Sequence, residues 1–400
     1  MSDRLRTFKR LPGHLFATAL VPLVPLFSLV VSIAALAPAL APAFEHPSTL
    51  WQPRWYQCPP ASTPPVIDGR LDDAVWALAP WTDDFVDIEG EARPVAPRYR
   101  TRAKLLWDGR ALYIAAELEE PHVWATLTER DAVVFHDNDF EVFIDPDGDN
   151  HLYAELEINA LGTVWDLLLV RPYRDGGPAL SGWDIAGLQT AVHVDGAVND
   201  PGDRDRGWSV EIAIPWIALR DLTGGRACPP APGDTWRLNF SRVQWEHRVE
   251  DGRYVKTPVA GRGWIGEDNW VWSPQGLVAM HAPERWGFVT FLDAAGEPGA
   301  AGAAVPDPRP LARPGAELMM PLYYAQRLHQ AEHGRFAARL ADLQSLPAAV
   351  RGELALRRAA LAAGVRWFGA ELTVESDGGG VMWTVDHEGR LTSAPVVVNE

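Results

Sequence analysis

The chain has 400 residues, 47% of them hydrophobic and 22% charged, with 34 Gly, 34 Pro and 18 Trp, a globular composition long enough for two or three domains. Lys plus Arg number 36 against 53 Asp plus Glu, and the net charge of −17 argues against a nucleic-acid or anionic-membrane binder, which needs clustered basic charge. Two cysteines, Cys58 and Cys228, neither in a CxxC pair, argue against a disulfide-stapled scaffold and against zinc as the first metal.

The N-terminus reads as an export segment. Arg4, Arg6, Lys9 and Arg10 form a basic stretch, an apolar run extends from Leu15 to about Leu36, and Ala37, Ala39, Ala41 and Ala43 offer A-x-A cleavage sites. Residues 1–43 are expected to be removed. A retained anchor is the alternative, because the run is long enough to span a bilayer although Pro22 and Pro25 interrupt it. Export to the periplasm or beyond places Cys58 and Cys228 where they are able to pair. Residues 44–64 form a lead-in.

From 65 to 293 the sequence reads as short strands separated by turn signals, an all-β pattern that suits an antiparallel β-sandwich, jelly-roll-like, rather than a parallel α/β core. Strands at 104–107 and 112–118 flank Asp108-Gly109, and strands at 140–145 and 151–159 flank Pro146-Asp147-Gly148-Asp149-Asn150. Further strands are expected at 163–170, 208–214, 236–243 and 286–292. Residues 294–317 carry Ala/Gly/Pro linker chemistry. Beyond them, 318–346 has helical spacing with Gly334 as a break, and two strands near 367–375 and 381–386 complete a small α+β appendage spanning 318–400.

Strand parity defines a candidate site. In 151–159, Leu152, Ala154, Leu156 and Ile158 form one row, and Tyr153, Glu155, Glu157 and Asn159 the other. The preceding strand sets Phe140, Val142 and Ile144 against Asp139, Glu141, Phe143 and Asp145, and 235–243 puts Arg237, Asn239 and Ser241 on the polar side. Pairing brings Glu141 near Glu155 or Glu157. Carboxylates and amides bind hydroxyls at the edge of a sugar while flat rings stack on its C–H faces, and Trp107, Trp165, Trp183, Trp264, Trp270 and Trp272 load these strands with rings. A solvated sheet face is the competing reading.

Asp145, Asp147 and Asp149 alternate in a tight turn, as in oxygen-ligated calcium loops, but Asn150 and Leu156 break the EF-hand pattern, so a calcium site and a plain Asp-rich turn both remain. No GxSxG, HExxH or P-loop pattern is present, and no nucleotide is expected. His136 and His281 are read as packing or turn residues. Glu141 with Glu155 or Glu157 is the pair a glycosidase would use.

The motifs Pro65-Val66-Ile67-Asp68-Gly69 with Leu71-Asp72-Asp73-Ala74-Val75-Trp76, Lys104-Leu105-Leu106-Trp107-Asp108, Asn138-Asp139-Phe140-Glu141-Val142-Phe143-Ile144-Asp145, Trp208-Ser209-Val210-Glu211-Ile212-Ala213-Ile214-Pro215-Trp216 and Trp286-Gly287-Phe288-Val289 resemble, in order, the signatures of family 9 carbohydrate-binding modules. The stretch Asn269-Trp270-Val271-Trp272-Ser273-Pro274-Gln275-Gly276 resembles a branch of such proteins in exported bacterial chains. The resemblance implies a β-sandwich that binds sugars, often at chain ends, carries structural calcium and accompanies polysaccharide-degrading hydrolases. It implies two clamping aromatic residues, whose places hold Phe135 and Met280. Since Met280 offers no ring, Trp272 is taken as the second platform. The family's acidic-strand glutamate maps to Glu141, and the next strand's polar pair to Glu155 and Glu157, where an arginine is usual at the second place. The expectation is an exported, non-catalytic carbohydrate-binding protein associated with polysaccharide catabolism. Phe135 and Trp272 are its stacking platforms, Glu141, Glu155, Glu157, Asn159 and Asn239 its hydrogen-bonding residues, and Asp145, Asp147 and Asp149 its calcium ligands. A glycosidase and an envelope module holding a protein partner through the C-terminal appendage are the alternatives.

Overall fold

The computed structural model describes residue 47 and residues 50–261, 266–293, 305–376 and 379–396. The expected export segment 1–43, Trp264 and the part of the expected linker at 294–304 lie outside the described residues. The first fifteen strands are β1 (Trp55–Cys58), β2 (Val86–Asp87), β3 (Thr101–Trp107), β4 (Ala111–Glu119), β5 (Asp139–Asp145), β6 (Tyr153–Asn159), β7 (Val164–Leu169), β8 (Ala179–Leu180), β9 (Gln189–Asp195), β10 (Gly207–Pro215), β11 (Thr235–Gln244), β12 (Glu246–Glu250), β13 (Arg253–Thr257), β14 (Asp268–Val271) and β15 (Gly287–Phe291).

They build a β-sandwich. The larger sheet runs β1-β15-β11-β5-β6-β7-β8, with β14 and β2 joined beside β11, and the smaller runs β3-β4-β10-β9. All pairings are antiparallel except β1 on β15. The expected hairpins form because their turn aspartates replace backbone partners. Asp108 Oδ1 accepts the N–H groups of Arg110 and Ala111 at 2.7 and 3.0 Å, and Asp145 accepts those of Gly148 and Asn150 at 2.9 and 3.0 Å. Alternation then sends Phe140, Val142, Ile144, Leu156, Ile158, Leu238 and Phe240 inward to meet Leu105, Ile114, Leu118, Val210, Ile212 and Ile214 from the other sheet. Phe85, Phe140 and Phe240 stack at the centre of this core.

The outer face of the smaller sheet is also covered, by the segment carrying Ile67, Leu71, Val75 and Trp76. Glu211 on β10 holds this cover: its Oε1 accepts the Trp76 indole N–H at 2.7 Å and its Oε2 the N–H groups of Asp68 and Gly69 at 3.0 and 2.8 Å. Gly69 has φ +85°, and a Cβ there would fall 2.5 Å from the Val192 carbonyl carbon, so only glycine fits. Cys58 and Cys228 are free thiols.

The C-terminal part has its own core. α2 (Arg309–Pro314) and α3 (Met320–His333), which follow the short α1 (Trp216–Leu219) of the sandwich, are joined by a π-helical turn at Gly315–Met319, and α4 (Ala348–Leu356) comes next. The strands β16 (Ala360–Ala363), β17 (Phe368–Ser376), β18 (Gly379–Asp386) and β19 (Leu391–Pro395) pair in that order. Residues 309–317, expected as linker, are helical; Pro310 at the first turn has φ preset for a helix, and Ala, Leu and Arg propagate it. The break expected at Gly334 is an αL cap with φ +70°, its N–H bonded to Gln330 O at 2.8 Å. Leu322, Tyr323, Phe336, Leu354, Phe368, Leu372, Trp383 and Val385 pack between helices and sheet.

Candidate functional site

The polar rows meet as parity requires. Across β11, β5, β6 and β7, Ser241, Glu141, Glu157 and Trp165 lie in register, and Asn239, Phe143, Glu155 and Leu167 form the next line. This face is not open to solvent as expected. Ile88, Val271, Met280 and Trp286 fold over it and pack on Phe143, Tyr153, Leu167 and Leu169, so Glu141, Glu155 and Glu157 are buried. The cover is held by the Trp286 indole N–H on Met280 O at 2.8 Å and the Arg285 Nε–H on Gln275 O at 2.8 Å.

Partly exposed rings rim the carboxylates. The Phe135 N–H donates to Glu157 Oε2 at 2.8 Å, and Phe135 O accepts the Trp245 indole N–H at 3.0 Å. Trp165 faces Glu157 from the neighbouring strand. His281 Nε2 lies 4.0 Å from Glu155 Oε2, its Nδ1 3.0 Å from the Tyr153 hydroxyl, and its ring 4.4 Å from that of Tyr173, which is 50% exposed. Sequence reasoning missed Tyr173 and Trp245, although Trp245 directly follows β11; His281, read as a packing residue, lines the rim.

Crowded carboxylates in a dry place hold their protons. Burial pushes Glu141 up to about 7, against the Ser241 hydroxyl beside it and with the charge of Glu267 adding to the rise. Asp139, Glu155 and Glu157 are raised well above the carboxylate range by burial first and then by the charge of Glu141, with Asp139 and Glu155 adding to the rise at Glu157. The Tyr173 hydroxyl is pushed up to about 12 by burial and by Glu155 and Glu157. Burial, then the Arg174 charge, lowers His281 to about 3 and leaves it neutral.

Three expected ligand contacts are corrected. Trp272 is 1% exposed and packs 5.9 Å from Phe240 on the inner side of the sheet, so it presents no ring to a ligand. The Asn239 amide N–H donates to Ser273 O, and its oxygen takes the N–H groups of Phe240 and Ser273. Asn159 donates to Leu127 O and Asp137 Oδ2 and accepts from Leu161 and Thr163. Both amides are spent on holding loops. Met280 is likewise buried, beneath the cover.

The Asp145-Asp147-Asp149 turn is held by its own backbone and by one arginine. Both oxygens of Asp145 accept backbone N–H groups, Asp149 Oδ1 takes the His151 N–H at 2.8 Å, and Arg390 lies 3.2 Å from Asp149 Oδ2. One carboxylate oxygen from each of the three lies within 4.8 Å of the others, so the turn keeps the geometry of both an Asp-rich turn and an oxygen-ligated cation loop.

Residues 67–229 match the family described as "Carbohydrate family 9 binding domain-like". No curated protein matches the chain. Among solved structures, a putative carbohydrate-binding protein from Bacteroides uniformis is 16% identical, covering 60% of this chain and 100% of that one with a TM-score of 0.43. A carbohydrate binding module family 9 from Caldicellulosiruptor kristjanssonii in complex with cellotriose is 17% identical, over 64% and 99% of the two chains, with a TM-score of 0.35. The same organism's module in complex with glucose is 16% identical, over 62% and 100%, at a TM-score of 0.38. The stretch similar to that family, residues 67–229, includes the covering segment with Gly69 and Trp76, its anchor Glu211 and the whole acidic hairpin.

Proposed function

We propose that the protein is an exported carbohydrate-binding protein, non-catalytic, serving polysaccharide breakdown. One observation carries this reading: a floor of buried carboxylates, Glu141, Glu155 and Glu157, rimmed by the partly exposed rings of Phe135, Trp165, Tyr173 and Trp245. Rings give a sugar its stacking surface and carboxylates accept its hydroxyls. The family match over 67–229 supports the same ligand class. The basic, apolar and small-residue order of the first 43 residues supports export.

The test is a glycan array run beside chromogenic glycosides with the purified chain. Binding without turnover is expected, and Glu141→Gln should weaken it by about 1.5–3 kcal/mol. Turnover would make the protein a glycosidase instead. Neither binding nor turnover would favour a protein partner held through the C-terminal part.

A further inference from the structure

The helix α3 closes at Gly334, and its C-terminal end carries two histidines four residues apart, His329 and His333. Side chains at that spacing are neighbours on one helix face. The two imidazole rings lie nearly parallel, with centroids 4.2 Å apart and an interplanar angle of 17°. Each turns its Nδ1 toward a backbone carbonyl: His329 Nδ1 lies 2.9 Å from Arg335 O, and His333 Nδ1 lies 3.1 Å from His329 O. A carbonyl oxygen only accepts, so Nδ1 holds the proton in both rings and the lone pair of each neutral imidazole is on Nε2. Among the described residues neither Nε2 has a hydrogen-bond partner. Glu332 adds a carboxylate beside the pair, its Oε2 3.9 Å from His333 Nδ1, and the His333 side chain is 53% exposed.

An anchored Nδ1–H with a free Nε2 is the arrangement in which histidine ligates metals, because the anchor fixes both the tautomer and the ring. Two such nitrogens on one helical turn form a chelate. We infer that His329 and His333 bind one divalent transition-metal ion of the copper, nickel and zinc group through their Nε2 atoms, with water and Glu332 completing the shell. Imidazole nitrogen suits these ions, and copper(II) heads the affinity order. Calcium and magnesium take oxygen ligands and do not compete for the pair. Bound metal clips the final turn of α3, the helix whose Tyr323 and Arg327 reach Asp175 of the sandwich. The site shares no residue with the carboxylate row, and its test contains no glycan, so it stands or falls separately from the sugar-binding reading.

The tag-free full chain, stripped with chelator, would be titrated by calorimetry with copper(II) chloride and with zinc chloride, the second being inert toward the free thiols. One ion per chain is expected, with nitrogen splitting from two imidazoles in the copper paramagnetic resonance spectrum and a thermal midpoint that rises with either metal. His333→Gln should weaken copper at least tenfold, remove one nitrogen from the spectrum and abolish the thermal response. His329→Gln also gives up the bond to Arg335 O, so His333→Gln is the deciding variant, its fold checked by circular dichroism. His247→Gln removes a ring from another close pair, His122 and His247 at 5.0 Å, and should change nothing. Millimolar calcium should not displace the copper. No binding of copper or zinc to the wild-type chain, undiminished binding in His333→Gln, or binding lost in His247→Gln instead, would overturn the inference.

Discussion

The guanidinium of Arg174 grips the carboxylate of Glu284 through two hydrogen bonds, Nη1 to Oε1 at 2.8 Å and Nη2 to Oε2 at 2.9 Å. Each partner is close in sequence to a residue of the rim, since Tyr173 precedes Arg174 and His281 lies three residues before Glu284. The helix α3 holds both from the C-terminal side: the Tyr324 hydroxyl donates to Glu284, the Tyr323 hydroxyl to Asp175, and Arg327 to Asp175 at 3.1 Å. The C-terminal part therefore clamps two segments of the rim.

Breaking this clamp should cost stability and ligand together. Arg174→Met leaves Glu284 buried without its main counter-charge, a loss of about 3–5 kcal/mol in urea unfolding. Affinity for any glycan found on the array should fall with it, because Tyr173 loses its anchor.

A second buried pair is purely structural. Arg242 donates to Glu120 Oε2 at 2.7 Å and to Thr101 and Gln244, with both charges out of water and the guanidinium over Trp270. Arg242→Met alone should destabilise by about 3–5 kcal/mol, and adding Glu120→Leu should recover most of that loss in the same denaturation assay.

His281 sets a pH dependence of known sign. It takes a proton near 6.5 when unfolded but only near about 3 when folded, so the unfolded state binds more protons between those values. Stability from this group is present above pH 6.5 and lost as pH falls toward 3. The stability of the wild type relative to His281→Gln should drop by up to about 1.4 kcal/mol per pH unit across that window. The raised carboxyls act in the opposite direction but cancel in the difference. A difference independent of pH would count against a neutral buried His281.

The rim and the loop-holding amides should separate in one experiment. Phe135→Ala should lower glycan affinity about tenfold, the scale of a lost stacking contact, while barely moving the unfolding midpoint. Asn239→Ala and Asn159→Ala should instead destabilise the fold by about 2 kcal/mol or more, since each strands several buried hydrogen bonds. Affinity per folded molecule should then be unchanged.

Local chemistry by itself determined much of this protein. Alternation with period 2 and the Asp-containing turns marked β3 to β7, β10, β11 and β15 to within a few residues, because a strand's two faces and a tight turn are decided by neighbours in sequence. The same parity brought Glu141, Glu155 and Glu157 onto one face. Parity says nothing of what lies above a face. That Met280 and Trp286 cover the row, that Trp272 turns inward, and that the Asn159 and Asn239 amides are consumed by loops all follow from segments distant in the chain. The parallel pairing of β1 with β15 and the clamp from Tyr323 and Tyr324 onto Asp175 and Glu284 join residues far apart in sequence, where no local preference acts and only the packing of the finished core selects the partner.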